Sequence, residues 1–324
     1  MKRYAIGIDV GGTKIAAGLV TQEGQILSRY TTCAHAEQQP ELVIQAIERA
    51  YWTLLEASGV DAASIEAVGL GFPGNINGSA GIVLFSSNLP SWNYFPLRDI
   101  VSERVGVPVV LENDAKIGAL GEHRYGAGRG ARDMCYVALG TGYGLGIIID
   151  NKLYIGPTGT TGELGHTVVE IGGPLCTCGR QGCLMTYASG IGLSRMAYQQ
   201  IDAGAKTRLR EVVPPDGQRF SGEIIAQVAS QGDQVAREIL RLAGYYAGVG
   251  LSIIVQMLSP ELIVVGGGLT YVGPMLHEPM LAGLSENTQP EMLDSVRVVP
   301  WQLGDDLGIL GATAKVFVES APRP

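Results

Sequence analysis

Three cysteines and a histidine lie close together in the middle of the chain. Cys176, Cys178 and Cys183 fall within eight residues, and His166 lies ten positions upstream. One imidazole and three thiolates form a complete tetrahedral ligand set for zinc, with short, polar spacers that let a loop wrap the ion. Three unrelated thiols in a loop are the alternative. Because four protein ligands leave no position for water, the sequence predicts a structural Zn2+ rather than a catalytic one.

Two glycine turns have the composition of phosphate-binding sites. DVGGTK (9–14) and LGTGYG (139–144) each join two strand-like segments. Glycines admit backbone N–H groups to an anion, and the carboxylate, hydroxyl and ammonium of the first turn suit a phosphate with Mg2+. A plain tight hairpin is the alternative. The composition of the two turns predicts phosphate binding by the following residues: Asp9, Gly11, Gly12, Thr13, Lys14, Gly140, Thr141 and Gly142.

The pattern of strand, glycine turn and strand occurs twice, which indicates an internal structural repeat. A further glycine run, Gly266, Gly267 and Gly268, follows the apolar segment ELIVV. An adenine or ribose could lie flat against a backbone that carries no side chains, and a purely structural turn explains this run equally well.

The triplet Glu112, Asn113 and Asp114 follows the apolar segment PVVL. A carboxylate at the end of a buried strand can accept the proton of a substrate hydroxyl as that hydroxyl attacks phosphorus, and Asn113 can hold a neighbouring hydroxyl. Asp and Asn are also good helix N-caps, and residues 115–126 have helical character. Both interpretations of the triplet can hold together.

Other polar residues suit a sugar. Glu163 and His166 in GELGH can converge from one turn, and Asn88 in NLPSW lies near an aromatic residue. A few placed polar groups beside an aromatic ring commonly bind adjacent hydroxyls. Each of these residues taken alone could belong to a surface loop.

Composition narrows the function classes. The chain has 324 residues, of which 46% are hydrophobic and 46 are glycine, which is typical of a glycine-rich globular α/β protein. A net charge of −8 gives no general attraction to nucleic acid or to anionic lipid. No apolar run reaches the roughly 18 residues of a membrane span, the start lacks a signal-peptide core, and five cysteines argue against a disulfide framework. We therefore expect a cytoplasmic protein.

Hydrophobic periodicity predicts alternating strands and helices. The expected strands lie within residues 4–9, 15–20, 25–31, 66–74, 107–111, 134–140, 145–150, 261–268 and 295–300. The expected helices lie within residues 40–59, 115–126, 189–203, 223–230, 233–256 and 308–318.

In chain order, the motifs DVGGTK, GFPG, NLPSW, ENDA, LGTGYG, GELGH, C-x-C-G-x-x-G-C and ELIVVGGG resemble those of the ROK family (repressors, open reading frames and kinases), most closely its glucokinase branch. The resemblance covers essentially the whole chain. It implies an α/β fold of the two-lobed, actin-like ATPase type (hexokinase-type, ribonuclease H-like) with a central cleft. We expect a small lobe of residues 1–115 plus about 306–324, and a large lobe of 116–305 that contains a zinc-binding loop, 166–183.

The resemblance also implies roles for single residues. The two glycine turns would bind the phosphates of ATP with Mg2+, the glycine run 266–268 would lie near the adenosine, and Asp114 would be the catalytic base. The implied sugar contacts are Gly74, Asn88, Asn113, Asp114, Glu163 and His166, and the implied zinc ligands are His166, Cys176, Cys178 and Cys183. Family kinases are commonly dimers, or tetramers built from dimers, so a homodimer or homotetramer is expected.

The expected activity is ATP-dependent phosphorylation of a hexose, with glucose at its 6-hydroxyl favoured. Met185 stands where the family usually has a glutamate that binds hydroxyls near the anomeric end. A hydroxyl buried against methionine loses its partner, at a cost of about 1–3 kcal/mol. N-Acetylmannosamine, N-acetylglucosamine, mannose, fructose and a polyol therefore stay open as substrates. Lys116 stands where the family often has asparagine, and we expect it to be a solvated helix lysine. The alternative is that Lys116 lowers the proton affinity of Asp114 or contacts phosphate.

Two other function classes are weighed against the kinase. Repressors of the family carry a DNA-binding helix-turn-helix ahead of the kinase-like part, whereas this acidic chain begins a few residues before its first glycine turn, so no nucleic-acid partner is expected. A catalytically silent sugar-binding regulator is the second alternative. The presence of Asp114 and of both phosphate turns argues against it. Inorganic polyphosphate could also replace ATP as the donor.

Overall fold

The structure, a computed structural model, describes residues 4–12, 14–34, 39–86 and 90–320. Thr13 and Asn88 lie outside the described residues. The chain forms two compact units: the first contains the residues up to Arg132, Gly146–Gly162 and the segment from Trp301 onward, and the second contains Asp133–Leu145 and Glu163–Pro300. The lobe boundaries predicted after residue 115 and near residue 306 stay predictions.

The described strands are β1 (Tyr4–Val10), β2 (Lys14–Thr21), β3 (Ile26–Cys33), β4 (Ile65–Phe72), β5 (Asn75–Asn77), β6 (Ile82–Phe85), β7 (Val109–Asn113), β8 (Met134–Leu139), β9 (Tyr143–Ile149), β10 (Lys152–Leu153), β11 (Leu262–Gly266) and β12 (Arg297–Pro300). The described α-helices are α1 (Pro40–Ser58), α2 (Leu97–Val105), α3 (Asp114–Tyr125), α4 (Gly190–Asp202), α5 (Gly222–Ser230), α6 (Gln234–Leu258), α7 (Pro274–Glu286), α8 (Pro290–Leu293) and α9 (Leu307–Glu319).

The first sheet has the strand order β3-β2-β1-β4-β7. β1, β2 and β3 pair antiparallel, whereas β4 runs parallel to β1, and β7 runs parallel to β4. The inner strands β1 and β4 are apolar and almost fully buried, as parallel strands covered by helices must be. The carboxyl ends of β1, β4 and β7 therefore lie along one edge of the sheet.

The second sheet has the order β10-β9-β8-β11-β12, which matches the first sheet position by position. β11 runs parallel to β8, and β12 runs parallel to β11. In the first sheet, β4 runs parallel to β1 and β7 to β4 in the same arrangement. LGTGYG thus follows β8 where DVGGTK follows β1. The common strand order confirms the predicted internal repeat.

Helix α9 packs closely on β1 and β4 because glycines face it. A Cβ atom at Gly7 would overlap the carbonyl oxygen of Ile309, and a Cβ atom at Gly69 would overlap that of Ala312. Gly311 of α9 lies against the backbone of α3 in the same way. These contacts bring the N-terminal ends of α3 and α9 to the edge at which β1 and β7 end.

Helix α6 is long and apolar enough to cross a membrane by length and mean hydropathy alone. However, 61% of its most apolar window is buried, and the helix packs against α5 and α7. These properties are typical of the core helix of a globular unit.

The predicted strands and helices form, with ends shifted by a few residues, but several elements carry no clear sequence signal. α7 begins at Pro274 and contains Pro279, so its sequence does not predict a helix. Packing against α6 stabilises it nevertheless. The short hairpin β5–β6 and the charged helix α2 were also not predicted.

Candidate functional site

Polar residues lie side by side where the parallel strands of the first sheet end. Asp9 of β1 pairs in register with Gly71 of β4, and Phe72 of β4 pairs with Asn113 of β7. The GFPG motif (71–74) ends β4 and begins the turn after it, and Asp114 follows β7. One sheet edge therefore carries the predicted cation ligand, the predicted sugar-binding turn and the predicted base.

Asn113 is the N-cap of α3. Its Oδ1 accepts hydrogen bonds from the N–H groups of Ala115 at 3.0 Å and Lys116 at 3.2 Å, and its Nδ2 donates to the Gly74 carbonyl at 3.0 Å. Gly74 has a φ of +112°, and a Cβ atom there would lie 2.7 Å from the Phe85 carbonyl oxygen. The cap therefore fixes the start of α3 and also holds the GFPG turn beside it.

Asp114 is the first residue of α3, and its side chain is exposed to solvent. Its Oδ1 accepts a hydrogen bond from the Ala115 N–H at 2.8 Å. The protein around the carboxylate displaces water and raises the pKa of Asp114, and the hydrogen bonds oppose this increase. A carboxylate of raised pKa is a stronger proton acceptor than an ordinary aspartate.

Asp9 is a second titratable carboxylate at the same edge. Burial raises the pKa of Asp9 to about 7, the charge of Asp114 adds to this increase, and Lys14 opposes it. The carboxylate packs against Gly308 in the first turn of α9, where any Cβ atom would overlap it. A helix N-terminus favours the ionised form of a carboxylate. No sequence signal selects Gly308, because the need for a residue without a side chain is visible only once Asp9 packs against it.

The first glycine of each glycine turn donates a backbone hydrogen bond within that turn. The Gly11 N–H donates to the Lys14 carbonyl at 2.9 Å, and the Gly140 N–H donates to the Gly142 carbonyl at 3.1 Å. These two N–H groups are thus used within their turns. Gly12 and Thr141 are exposed.

The start of α4 and the triple-glycine turn both contact LGTGYG in the second unit. The N–H groups of Gly190 and Ile191, at the start of α4, donate to the carbonyls of Gly140 at 2.9 Å and Thr141 at 3.2 Å. Gly267, with a φ of +94°, lies so close to the carbonyl oxygen of Leu139 that a Cβ atom would overlap it. The triple-glycine turn and the second phosphate turn are therefore neighbours, as a shared nucleotide site requires.

GELGH and Met185 flank the same turn. A Cβ atom at Gly165 would lie 2.5 Å from the Tyr143 carbonyl oxygen, so only glycine allows this approach. Met185 is buried, and its Cε lies 4.0 Å from the position that a Cβ atom of Gly142 would occupy. The thioether thus forms an apolar wall beside LGTGYG.

The side chains of His166, Cys176, Cys178 and Cys183 converge, and their ligand atoms all lie within 4.8 Å of one another. The Sγ atoms of Cys178 and Cys183 are 3.7 Å apart, and the edge of a tetrahedron with Zn–S bonds of about 2.3 Å is about 3.8 Å. The geometry therefore fits zinc.

The ring of His166 is oriented by the same cluster. Its Nδ1 lies 3.5 Å from the Sγ of Cys176, so Nε2 points to the opposite side of the ring. Burial lowers the pKa of His166, and the positive charge of Arg180 lowers it further, so the ring is neutral near pH 7. A neutral imidazole can bind zinc through one nitrogen and contact a sugar through the other.

Replacing Cys178 by serine is expected to abolish zinc binding, because a hydroxyl is a poor substitute for a thiolate ligand. We expect about one zinc per chain in the wild-type protein and a lower Tm for the variant, since metal binding contributes directly to folding free energy. Cys33→Ser is the matched control, because Cys33 lies in β3 outside the cluster. Metal analysis of the freshly purified proteins measures this. A wild-type protein with almost no bound zinc would contradict the predicted site.

The expectation that Lys116 is solvated is wrong. Lys116 is only 2% exposed, and its Nζ lies 3.8 Å from the Oε1 of Glu112, four residues earlier. Glu112 and Lys116 are four residues apart, but Glu112 lies in β7 and Lys116 in α3, so the rule for ion pairs within one helix does not predict this contact. Lys315, distant in sequence, completes this buried group.

The described site residues divide between the two units. The first unit contains Asp9, Gly11, Gly12, Lys14, Gly74, Asn113 and Asp114. The second contains Gly140, Thr141, Gly142, Glu163, His166, Cys176, Cys178, Cys183, Gly266, Gly267 and Gly268. The roles predicted for them stay predictions.

Known proteins resemble the chain over nearly its full length. The sequence profile of the ROK family matches residues 5–317. The glucokinase of Streptomyces coelicolor is 39% identical over 322 residues, which cover 95% of each chain. A ROK family glucokinase from Streptomyces griseus, solved with glucose and AMPPNP, has a TM-score of 0.81 and 39% identity, covering 95% of this chain and 97% of that one. The ROK hexokinase of Thermus thermophilus has a TM-score of 0.79 and 31% identity, covering 98% and 99%. The predicted hexokinase-type α/β fold is confirmed.

Proposed function

Since the chain belongs to the ROK family, we propose that it is an ATP-dependent glucokinase that transfers the γ-phosphoryl group of ATP to the 6-hydroxyl of glucose. The near-full-length likeness to glucokinases supports this function. Within the molecule, one observation carries it: Asp114 is an exposed carboxylate of raised pKa, electrostatically coupled to Asp9 at the sheet edge where the first phosphate turn begins.

Asp114 is the proposed general base. Its carboxylate accepts the proton of the 6-hydroxyl while the hydroxyl oxygen forms a bond to the γ-phosphorus and the bond from phosphorus to the β,γ-bridging oxygen breaks. The proton ends on Asp114, and ADP is the leaving group. The Asn113 cap supports this role because it fixes the first turn of α3 and so limits the positions that the carboxylate can adopt.

The first glycine turn and Asp9 are proposed to hold the phosphate groups and their cation. Mg2+, when bound, neutralises phosphate charge. Asp9 would hold the cation directly or through water, and the exposed ammonium of Lys14 would attract the phosphates. Gly12 is better placed than Gly11 to donate its N–H, because the Gly11 N–H already closes the turn.

The second unit is proposed to bind the remainder of the nucleotide and the sugar. The backbone at Thr141 would contact phosphate, and the glycine run 266–268 would lie against adenosine. Glu163 and the Nε2 of His166 would bind sugar hydroxyls. Zinc, held by the other nitrogen of His166 and the three cysteines, would keep this loop rigid without taking part in proton transfer.

Met185 keeps the choice of sugar open, because a buried thioether cannot accept a strong hydrogen bond from a hydroxyl. Met185→Glu is expected to raise kcat/KM for glucose about tenfold, since pairing a buried hydroxyl contributes roughly 1–3 kcal/mol. Kinetics with glucose and with N-acetylmannosamine, N-acetylglucosamine, mannose, fructose and a polyol measure the effect. A fall in glucose turnover, together with a faster wild-type reaction on another sugar, would contradict glucose as the preferred substrate.

The apolar wall at Met185 also favours one other function, that of a catalytically silent sugar-binding regulator. Assays of the same acceptors with Mg-ATP and with polyphosphate separate the two functions and identify the donor. Transfer to any acceptor excludes the silent regulator. Sugar binding without transfer to any acceptor would overturn the kinase.

We also propose that the protein is cytoplasmic and assembles as a homodimer or a homotetramer of dimers. The family resemblance supports this assembly. Light scattering of the purified protein measures its mass in solution.

A further inference from the structure

A buried group of charges, defined by Glu112, Lys116 and Lys315, lies directly behind the proposed base. The three residues are 1%, 2% and 8% exposed. Lysine is almost never buried unless it is paired, so each ammonium must have a specific partner. The proposed chemistry uses none of these three side chains.

Glu112 is the centre of the group. Its Oε1 accepts a hydrogen bond from the Asn113 N–H at 3.0 Å and lies 3.8 Å from the Nζ of Lys116. Its Oε2 accepts a hydrogen bond from the Nζ of Lys315 at 3.1 Å. Both lysines therefore neutralise the same carboxylate, which holds the backbone of the residue before Asp114.

The two lysines differ in their second contacts. Lys315 also pairs with Glu319 on its own helix at 3.0 Å. Lys116 instead donates a hydrogen bond to the carbonyl of Gly159, in the segment 155–162. Gly159 has a φ of +75°, and a Cβ atom there would lie 2.9 Å from the Ile76 carbonyl oxygen, so this segment is closely packed at the point that Lys116 holds.

We propose that Lys116 is a positioning residue for the sugar. Gly159 precedes Glu163 by four residues, and no regular helix or strand lies between them. Lys116 therefore ties the helix that carries Asp114 to the chain segment that leads into the sugar-binding motif GELGH. This role rests on the proposed function, because it assigns sugar binding to Glu163.

Lys116→Met removes the ammonium and keeps an apolar side chain that extends to Cε. Lys315→Met removes the other partner of Glu112 and leaves the contact of Lys116 to Gly159. Both variants lose one partner of the same buried carboxylate, so both should have a lower Tm. Only Lys116→Met should release segment 155–162. We expect the KM for glucose to rise about tenfold in Lys116→Met, with kcat within about threefold of the wild type, and to stay unchanged in Lys315→Met.

Hydrogen exchange of the amides of 155–162 tests the same contact without an activity assay. Exchange should accelerate in Lys116→Met and not in Lys315→Met, and Lys116→Arg should restore part of the protection. Equal effects of the two methionine variants on both KM and exchange would show a purely structural ion pair and overturn the proposal. If the wild type phosphorylates no sugar, the proposed function fails; faster exchange in Lys116→Met alone would then still establish the link to Gly159, while its role in sugar positioning would be refuted.

Discussion

Replacement of Asp114 by asparagine is expected to lower kcat for glucose about 10³-fold, because a positioned general base contributes roughly 10²- to 10⁴-fold. Asparagine keeps the shape of the side chain and can accept the Ala115 hydrogen bond, but it cannot accept a proton. The KM for glucose should change by less than about threefold, since the loss falls on the transition state. Steady-state kinetics at saturating Mg-ATP measure both parameters.

A suitable control is Asp61→Asn. Asp61 caps a short 3-10 helix in the same unit and accepts the Ala63 N–H at 3.0 Å, and asparagine can replace it as a cap. This control should retain wild-type kcat. If Asp114→Asn also retained nearly full activity, Asp114 would not be the base.

Asp9→Asn is expected to lower activity about 10²-fold at limiting Mg2+, because it removes a negative charge from the proposed cation site. Excess Mg2+ should restore part of the lost rate, and the apparent KM for Mg2+ should rise. A titration of MgCl2 at fixed ATP measures this. A large loss of rate with an unchanged Mg2+ dependence would contradict a role for Asp9 in holding the cation.

The raised pKa of Asp9 predicts a pH dependence for the same variant. As pH falls below about 7, protons compete with Mg2+ for the wild-type carboxylate, so the apparent KM for Mg2+ should rise, whereas Asp9→Asn should lack this dependence. The folded-state pKa of about 7 exceeds the ordinary value of 3.8, so the folded protein binds more protons in this interval and becomes less stable as pH rises through it. Asp9→Asn should therefore have a higher Tm than the wild type above pH 7.

The elements that the sequence predicted are those with local causes. Helix α1 begins at Pro40 and stops before Gly59, which has a φ of +65°, because proline favours the first turn of a helix and glycine favours the position just after its end. The cysteine spacing predicted the convergence with His166, since few residues separate the ligands. Asn113 proved to be a helix cap beside the predicted base, so the structural interpretation of the triplet holds without excluding its chemical role.

The features that could not be predicted depend on residues that are distant in sequence. The burial of Lys116 requires Gly159, and the position of Asp9 requires Gly308, almost 300 residues later. Helix α7 forms despite Pro279 because α6 covers it. Sequence periodicity carries information about the face of an element but none about which distant segment packs on it.

Product analysis of the reaction between wild-type protein, glucose and Mg-ATP tests the central claim most directly. Phosphorus NMR identifies the phosphorylated hydroxyl and distinguishes transfer to sugar from hydrolysis of ATP. We expect stoichiometric formation of glucose 6-phosphate and ADP, with no product from Asp114→Asn on the same timescale. The absence of any phosphorylated sugar, or phosphate on a hydroxyl other than the 6-hydroxyl, would contradict the account.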